Sequence, residues 1–221
     1  MAIGSVTSTT SNPIFPLIML DQLEAAAIIA HRQEIGADHH DEVWEGQYMM
    51  APNAGWDHQD LVAEFGYILH QVAKELGGYA HQGDNVTDRE KNWMSNFRVP
   101  DVLVVLPGSK AKKFSGGLIG GPDFVVEVLS PGDRSMDKLP FYAKVGSCEV
   151  MHVDHQTKNL TLFRLIDGQM VDVGSSTSAE SSVIISNVLP LRFQVLKSKE
   201  AGESVLEIRH ADGSRVWRIG G

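Results

Sequence analysis

The chain has 221 residues, 43% of them hydrophobic and 21% charged, which suits one folded domain with a sizeable core and excludes a disordered chain. Its longest apolar runs, 25–30 and 102–106, fall far short of the ~20 residues that cross a bilayer. A single cysteine excludes an intramolecular disulfide or a cysteine-built zinc site, and a net charge of −9 excludes a protein that coats nucleic acid by charge alone.

The first residues, 1–13, read as a flexible Ser/Thr arm without the basic start and apolar run of a secretory signal, and 14–221 read as a single domain. A short helix is predicted over Leu20–Glu34, closed by Gly36, and a strand over the loosely alternating stretch that stops at Pro52. Asp57 is a fair cap for a stronger helix, in which Leu61, Phe65, Ile68, Leu69, Val72 and Leu76 recur at helical spacing until Gly77-Gly78. Two β-branched runs, Val102–Leu106 and Phe124–Leu129, read as strands buried on both faces, separated by a Lys/Gly-rich hairpin or lid over 107–122. Asp133 or Ser135 caps a helix to about Val145, with Gly146 at its end. Glu149–Val153 and Leu160–Leu165 follow as paired strands, then shorter β stretches at 169–173, 182–185, 191–196, 205–210 and 215–219. This order predicts an α/β fold, a mixed central sheet flanked by helices with additional C-terminal strands.

Between Arg89 and Lys144 nine basic and six acidic residues leave a net +3, so the acidic balance lies outside this middle stretch. Such a middle is compatible with a polyanionic substrate. Within it, Asp101 opens one apolar strand and Glu127 interrupts the next. An ionised carboxylate in such a strand costs several kcal/mol unless a cation, hydrogen bonds or a metal compensates. Two on neighbouring strands repel each other unless a divalent cation lies between them. Lys138, eight residues after Ser130, is placed to reach the same cleft if its helix packs back over the strand ends. Glu64 lies beside the buried stripe of the second helix and is a candidate third carboxylate. Alternatives stay open on the residues alone: Glu127 as the partner of Arg98 or Lys138 in a structural ion pair, Lys138 as a solvated helix residue, and Glu64 as a boundary residue.

The runs Arg98-Val99-Pro100-Asp101-Val102 and Pro122–Pro131, with Lys138-Leu139-Pro140-Phe141-Tyr142-Ala143, Gly146, Glu149 and Asp154, resemble the Uma-type family of bacterial restriction-endonuclease-like proteins, over about 45–195. The resemblance implies a PD-(D/E)XK nuclease core in which Asp101 and Glu127 hold magnesium (or manganese), with the Val128 carbonyl as a further ligand. The usual lysine position holds Leu129 here, so the family pattern assigns the basic role to Lys138. The segment from Ser130 to Lys138 is about three residues shorter than the common family form, close to one helical turn. Val150-Met151 replaces the Tyr-Trp that often follows the glutamate. His58 matches a histidine common at that helix start, without a chemical role that its residue type dictates.

The implied function is a magnesium-dependent endonuclease that hydrolyses phosphodiester bonds of nucleic acid, DNA before RNA, in the cytoplasm and as a homodimer. Its rival is a catalytically silent nuclease-like module that binds nucleic acid or a protein partner, marked by a Lys138 pointing away from the two carboxylates. A structural role, with the carboxylates tied up in salt bridges, is the third possibility. Gly116–Gly121 precedes a strand and lacks the strand–turn–helix context of a phosphate loop. His39-His40-Asp41-Glu42 and His152-Val153-Asp154-His155 read as solvated turns, and residues 202–221 as the cap of a sheet edge or a dimer contact.

Overall fold

The computed structural model describes residues 22–52, 54–198 and 203–220, in two units that divide after Ala37. The arm expected over 1–13 and its boundary with the domain lie outside the described residues. The first unit holds helix α1 (Gln22–Glu34), which Gly36 closes in the left-handed conformation, φ 69°.

The second unit opens with β1 (Glu42–Trp44) and β2 (Gln47–Met49), then α2 (Trp56–Glu75), β3 (Tyr79–Gln82), β4 (Val86–Thr87), β5 (Phe97–Arg98) and β6 (Val102–Val105). Next come β7 (Lys112–Phe114), β8 (Gly117–Ile119), β9 (Phe124–Leu129), α3 (Ser135–Val145), β10 (Glu149–Asp154), β11 (Leu160–Ile166) and β12 (Gln169–Ser176). The chain ends with β13 (Ile184–Ile185), β14 (Leu191–Lys197), β15 (Ser204–His210) and β16 (Val216–Ile219).

Two expectations need correction. The single strand before Pro52 is a hairpin, because Glu45 and Gly46 both take positive φ, 47° and 86°, and reverse the chain between β1 and β2. Gly55, rather than Asp57, caps α2, without a side-chain hydrogen bond. The Lys/Gly-rich stretch is a hairpin, β7 against β8.

The strands form three sheets. The central one runs β12-β11-β10-β9-β6-β3, with β9 parallel to β10 and antiparallel to β6. A second sheet runs β2-β1-β5-β4-β8-β7, and a C-terminal antiparallel sheet runs β13-β14-β15-β16. The apolar runs are continuous because both faces of the central sheet are covered. Val102, Val104, Phe124, Val126, Val128, Met151 and Val153 face one core, shared with Leu61, Phe65 and Ile68 of α2. Phe193, Leu206 and Ile208 of the C-terminal sheet complete that core, so the chain's last strands are integral to it. Leu103, Val125 and Val150 face the other core, against Leu139, Phe141 and Tyr142 of α3. Each such side chain contributes roughly 1.5–3 kcal/mol on burial. Gly121 lets β9 start hard against the end of α3, since a Cβ there would lie 2.1 Å from the Ser147 nitrogen.

Candidate active site

Strand alternation decides where the two carboxylates point. Leu103 and Val125 face α3, so Asp101 and Glu127, each two positions away, face the same side. Val102 pairs with Val126 in the antiparallel ladder, and one further step sets Asp101 opposite Glu127. The ladder stops there because Pro100 offers its carbonyl to the Gly83 N–H instead. The Val128 N–H would be left without a partner, and the Asp101 carboxylate accepts it at 2.7 Å through Oδ2. Its other oxygen, Oδ1, lies 3.2 Å from Nε2 of His58, whose Nδ1 is 3.2 Å from the Ser130 hydroxyl. Asp101 holds the His58 imidazole above its ordinary value, against the lowering effect of burial.

Glu127 is 2% exposed, and both its oxygens are engaged: the Tyr142 hydroxyl donates to Oε1 at 2.5 Å and the Lys138 ammonium to Oε2 at 2.9 Å. Tyr142 and Lys138 sit four apart on α3, so one helix face delivers both. The same ammonium lies 2.9 Å from Oε1 of Glu42 on β1. Glu42, 5% exposed, also accepts the Val99 N–H at 2.8 Å and the Trp44 indole N–H at 2.5 Å. Two carboxylates thus share one ammonium, and Asp101 adds a third negative charge nearby. Burial first, then Asp101 and Glu42, push the Glu127 carboxyl up to about 7, with Lys138 pulling the other way. Burial would discharge Lys138, yet Glu127 and Glu42 outweigh it and hold the ammonium firmly protonated. The two rises are compatible because the excess of negative charge falls on the most buried carboxylate. Tyr142 stays a neutral donor, its hydroxyl raised by burial and by the same carboxylates.

Asp101, Glu127, Val128 and Lys138 are therefore brought together. Glu64 is not: it is exposed on α2, and six residues from His58 turn the helix by about 240°, away from the Asp101 side. Arg98 does not pair with Glu127. Its guanidinium stacks between Trp44 and Phe141, 4.6 and 4.3 Å from the ring centres, and Nη1 donates to Val43, Asn96 and Phe97 oxygens. Of the two histidine-containing clusters, His39 and His40 do lie exposed in a turn and His155 in the turn after β10, but Asp41, Glu42 and His152 are buried, a correction that brings Glu42 into the site. Asp41 and Glu42 are buried, Glu42 against Lys138 of α3, and His152 is buried within β10, in register with Glu127. His152 packs edge-on to Phe163, burial pulls it down to about 4, and its Nε2 has no hydrogen-bond partner. Glu42 and Tyr142 carry no local signal of a site role: Glu42 sits in a charged hairpin and Tyr142 in an apolar stripe. Only the contact across 96 residues between Glu42 and Lys138 assigns the former.

No three His, Cys, Asp or Glu side chains among the described residues form a ready cage for a metal ion. The donors present still fit a hard divalent cation, which takes one or two carboxylates together with waters and carbonyls. Asp101 and Glu127 are opposed, and the negative excess on Glu127 is what such an ion relieves. A groove of about 560 Å³ between α2 and β3, lined by Gly66, Tyr67, His70, His81 and Gln82, contains none of these residues. The carboxylates sit instead at the strand ends, beneath α3.

The family model described as "Putative restriction endonuclease", Uma2, matches residues 29–197, and this span contains every residue of the site. The chain belongs to the Uma2 family. Among solved structures it is similar to a protein of Anabaena variabilis, titled a "putative nuclease belonging to DUF820", at 16% identity and a TM-score of 0.53. The match covers 66% of this chain and 80% of that one, and establishes a shared fold. No curated protein matches the chain. The Uma2 match brings a nuclease-like function at family level, and the metal ligands and substrate have to be argued from the site. No helix among the described residues is long and apolar enough to cross a membrane.

Proposed function

We propose that this chain is a magnesium-dependent endonuclease that hydrolyses phosphodiester bonds of DNA. The observation that carries the reading is the opposition of Asp101 and Glu127 across β6 and β9, with the Lys138 ammonium 2.9 Å from Glu127. Asp101 and Glu127 would hold the cation. The Val128 carbonyl is a further donor, because the N–H and C=O of a strand residue share an edge and its N–H already faces Asp101. Magnesium, or manganese in its place, supplies charge stabilisation for the phosphoryl oxygens and acidifies bound water. His58 orients Asp101, and Lys138 offsets phosphate charge and orients the attacking water.

The rival reading, a silent binding module, is marked by a lysine turned away from Asp101 and Glu127, and Lys138 instead contacts Glu127. One site per chain cuts one strand, so cleavage of a duplex calls for two copies, and the proposal includes a two-fold homodimer. Its single cysteine is free, which suits the reducing cytoplasm included in the proposal. The test is cleavage of plasmid and single-stranded DNA with magnesium or manganese, beside Glu127→Ala and Lys138→Ala. Metal-dependent nicking that both folded variants lose supports the proposal. A wild-type protein that neither cuts nor is stabilised by the metal overturns it.

A further inference from the structure

Lys138 occupies an unusual place for a group that is to serve a phosphate. Its ammonium is bound at 2.9 Å by Glu127 and at 2.9 Å by Glu42, and its side chain is only 13% exposed. In this arrangement the lysine is the counter-ion of Glu127. A divalent cation that takes Glu127 meets an ammonium already bound to Oε2, and the repulsion between the two positive charges favours moving that ammonium away. The cost of that exchange depends on where the ammonium goes. Released into an apolar site it would be prohibitive, since a buried charge without a partner costs several kcal/mol.

Glu42 is built to receive it. The Val99 N–H and the Trp44 indole N–H fix its two oxygens, which leaves little freedom for the side chain to follow the lysine or to approach Glu127. It comes from the β1 hairpin, on a different sheet from the strands that carry Asp101 and Glu127. We infer that Glu42 is a positioning residue that retains the Lys138 ammonium when Glu127 is given up to the cation, so that Lys138 competes with the metal and Glu42 weakens that competition. The inference rests on the metal site proposed above and adds a residue outside its ligand set.

The consequence is a pattern of metal affinities that a ligand or a mere structural prop would not produce. Without Glu42, Lys138 has Glu127 as its remaining carboxylate partner and holds it more tightly. Without Lys138, the competitor is gone and the presence of Glu42 no longer matters. Calorimetric titration of manganese at pH 7.5 compares wild type with Glu42→Gln, Lys138→Met and the double variant, each checked for native circular dichroism. The expected result is about tenfold weaker binding for Glu42→Gln, about tenfold tighter binding for Lys138→Met, and the double variant level with Lys138→Met; tenfold is about 1.4 kcal/mol.

Glu42→Asp, which keeps the charge but withdraws it by one methylene, gives a graded form of the first arm should the amide disturb Trp44. Each arm decides by itself. Unchanged affinity in Glu42→Gln, or a double variant that stays tenfold weaker than Lys138→Met, overturns the inference while leaving the metal site standing. No manganese binding by wild type or by Lys138→Met removes the metal site, and the inference with it.

Discussion

Replacing Glu127 with glutamine tests the electrostatics of the site without any substrate. In the folded protein the Glu127 carboxyl titrates at about 7, against an ordinary 4.5. Folding therefore favours its protonated form, and the stability it contributes is fully present below about 4.5 and lost as pH rises through about 7. At about 1.4 kcal/mol per unit, the loss is on the order of 3 kcal/mol. Wild-type stability alone would hide it, because His152 is pulled down to about 4 and contributes in the opposite sense. Its stability is present above about 6.5 and lost as pH falls through about 4, nearly the same window. The difference between wild type and Glu127→Gln cancels the His152 contribution and isolates that of Glu127. Urea unfolding followed by tryptophan fluorescence, with a chelator from pH 4 to 8.5, should show wild type losing about 3 kcal/mol relative to the variant across that range. Parallel profiles, or a wild type that gains on the variant as pH rises, would refute the reading that burial and the neighbouring carboxylates outweigh the Lys138 ammonium at Glu127. Saturating magnesium above pH 7 should recover much of the loss in wild type and none in the variant.

Four further outcomes follow from the geometry. His58→Ala removes the group 3.2 Å from Asp101 Oδ1 and should weaken manganese binding about 10- to 100-fold in calorimetry. Glu64→Ala should leave manganese affinity and melting temperature at wild-type values, because Glu64 is exposed and lies off the His58 side of α2; a tenfold loss of affinity would return it to the site. His152→Leu should flatten the acid limb of the stability profile, gaining up to about 3 kcal/mol on wild type between pH 6.5 and 4. Gly121→Ala forces a methyl to within 2.1 Å of the Ser147 nitrogen and should cost about 1–3 kcal/mol or more in urea unfolding, with no change in the pH profile.

The strands Val102–Val105 and Phe124–Leu129 and the helix Ser135–Val145 could be read from the chain because each carries its own signal, a β-branched run or a glycine stop. The same contrast exposed Glu127 and Asp101, since a carboxylate inside an apolar run is conspicuous. Its place beside an apolar stripe makes Glu64 a candidate third carboxylate or a boundary residue, and a stripe marks only the buried face. Whether its edge looks toward Asp101 depends on the phase of α2 against the sheet, which His58 meets and Glu64 does not. The Glu45-Gly46 reversal is hard to see in the chain because it lacks the asparagine or aspartate that usually announces such a turn.

Local patterns along the chain suffice for the α/β class, the two buried strands, the helix that follows them, and Asp101, Glu127 and Lys138 as candidate site residues. The register of Val102 with Val126, which sets one carboxylate against the other, comes from the fold. The fold alone brought Glu42 from the first hairpin to share Lys138, and Tyr142 to bond Glu127. The physical reason is range. Propensity, capping and alternation act within a few residues, whereas a buried charge is balanced by whatever partner the fold carries to it, and here those partners come from strands and helices far apart in the chain.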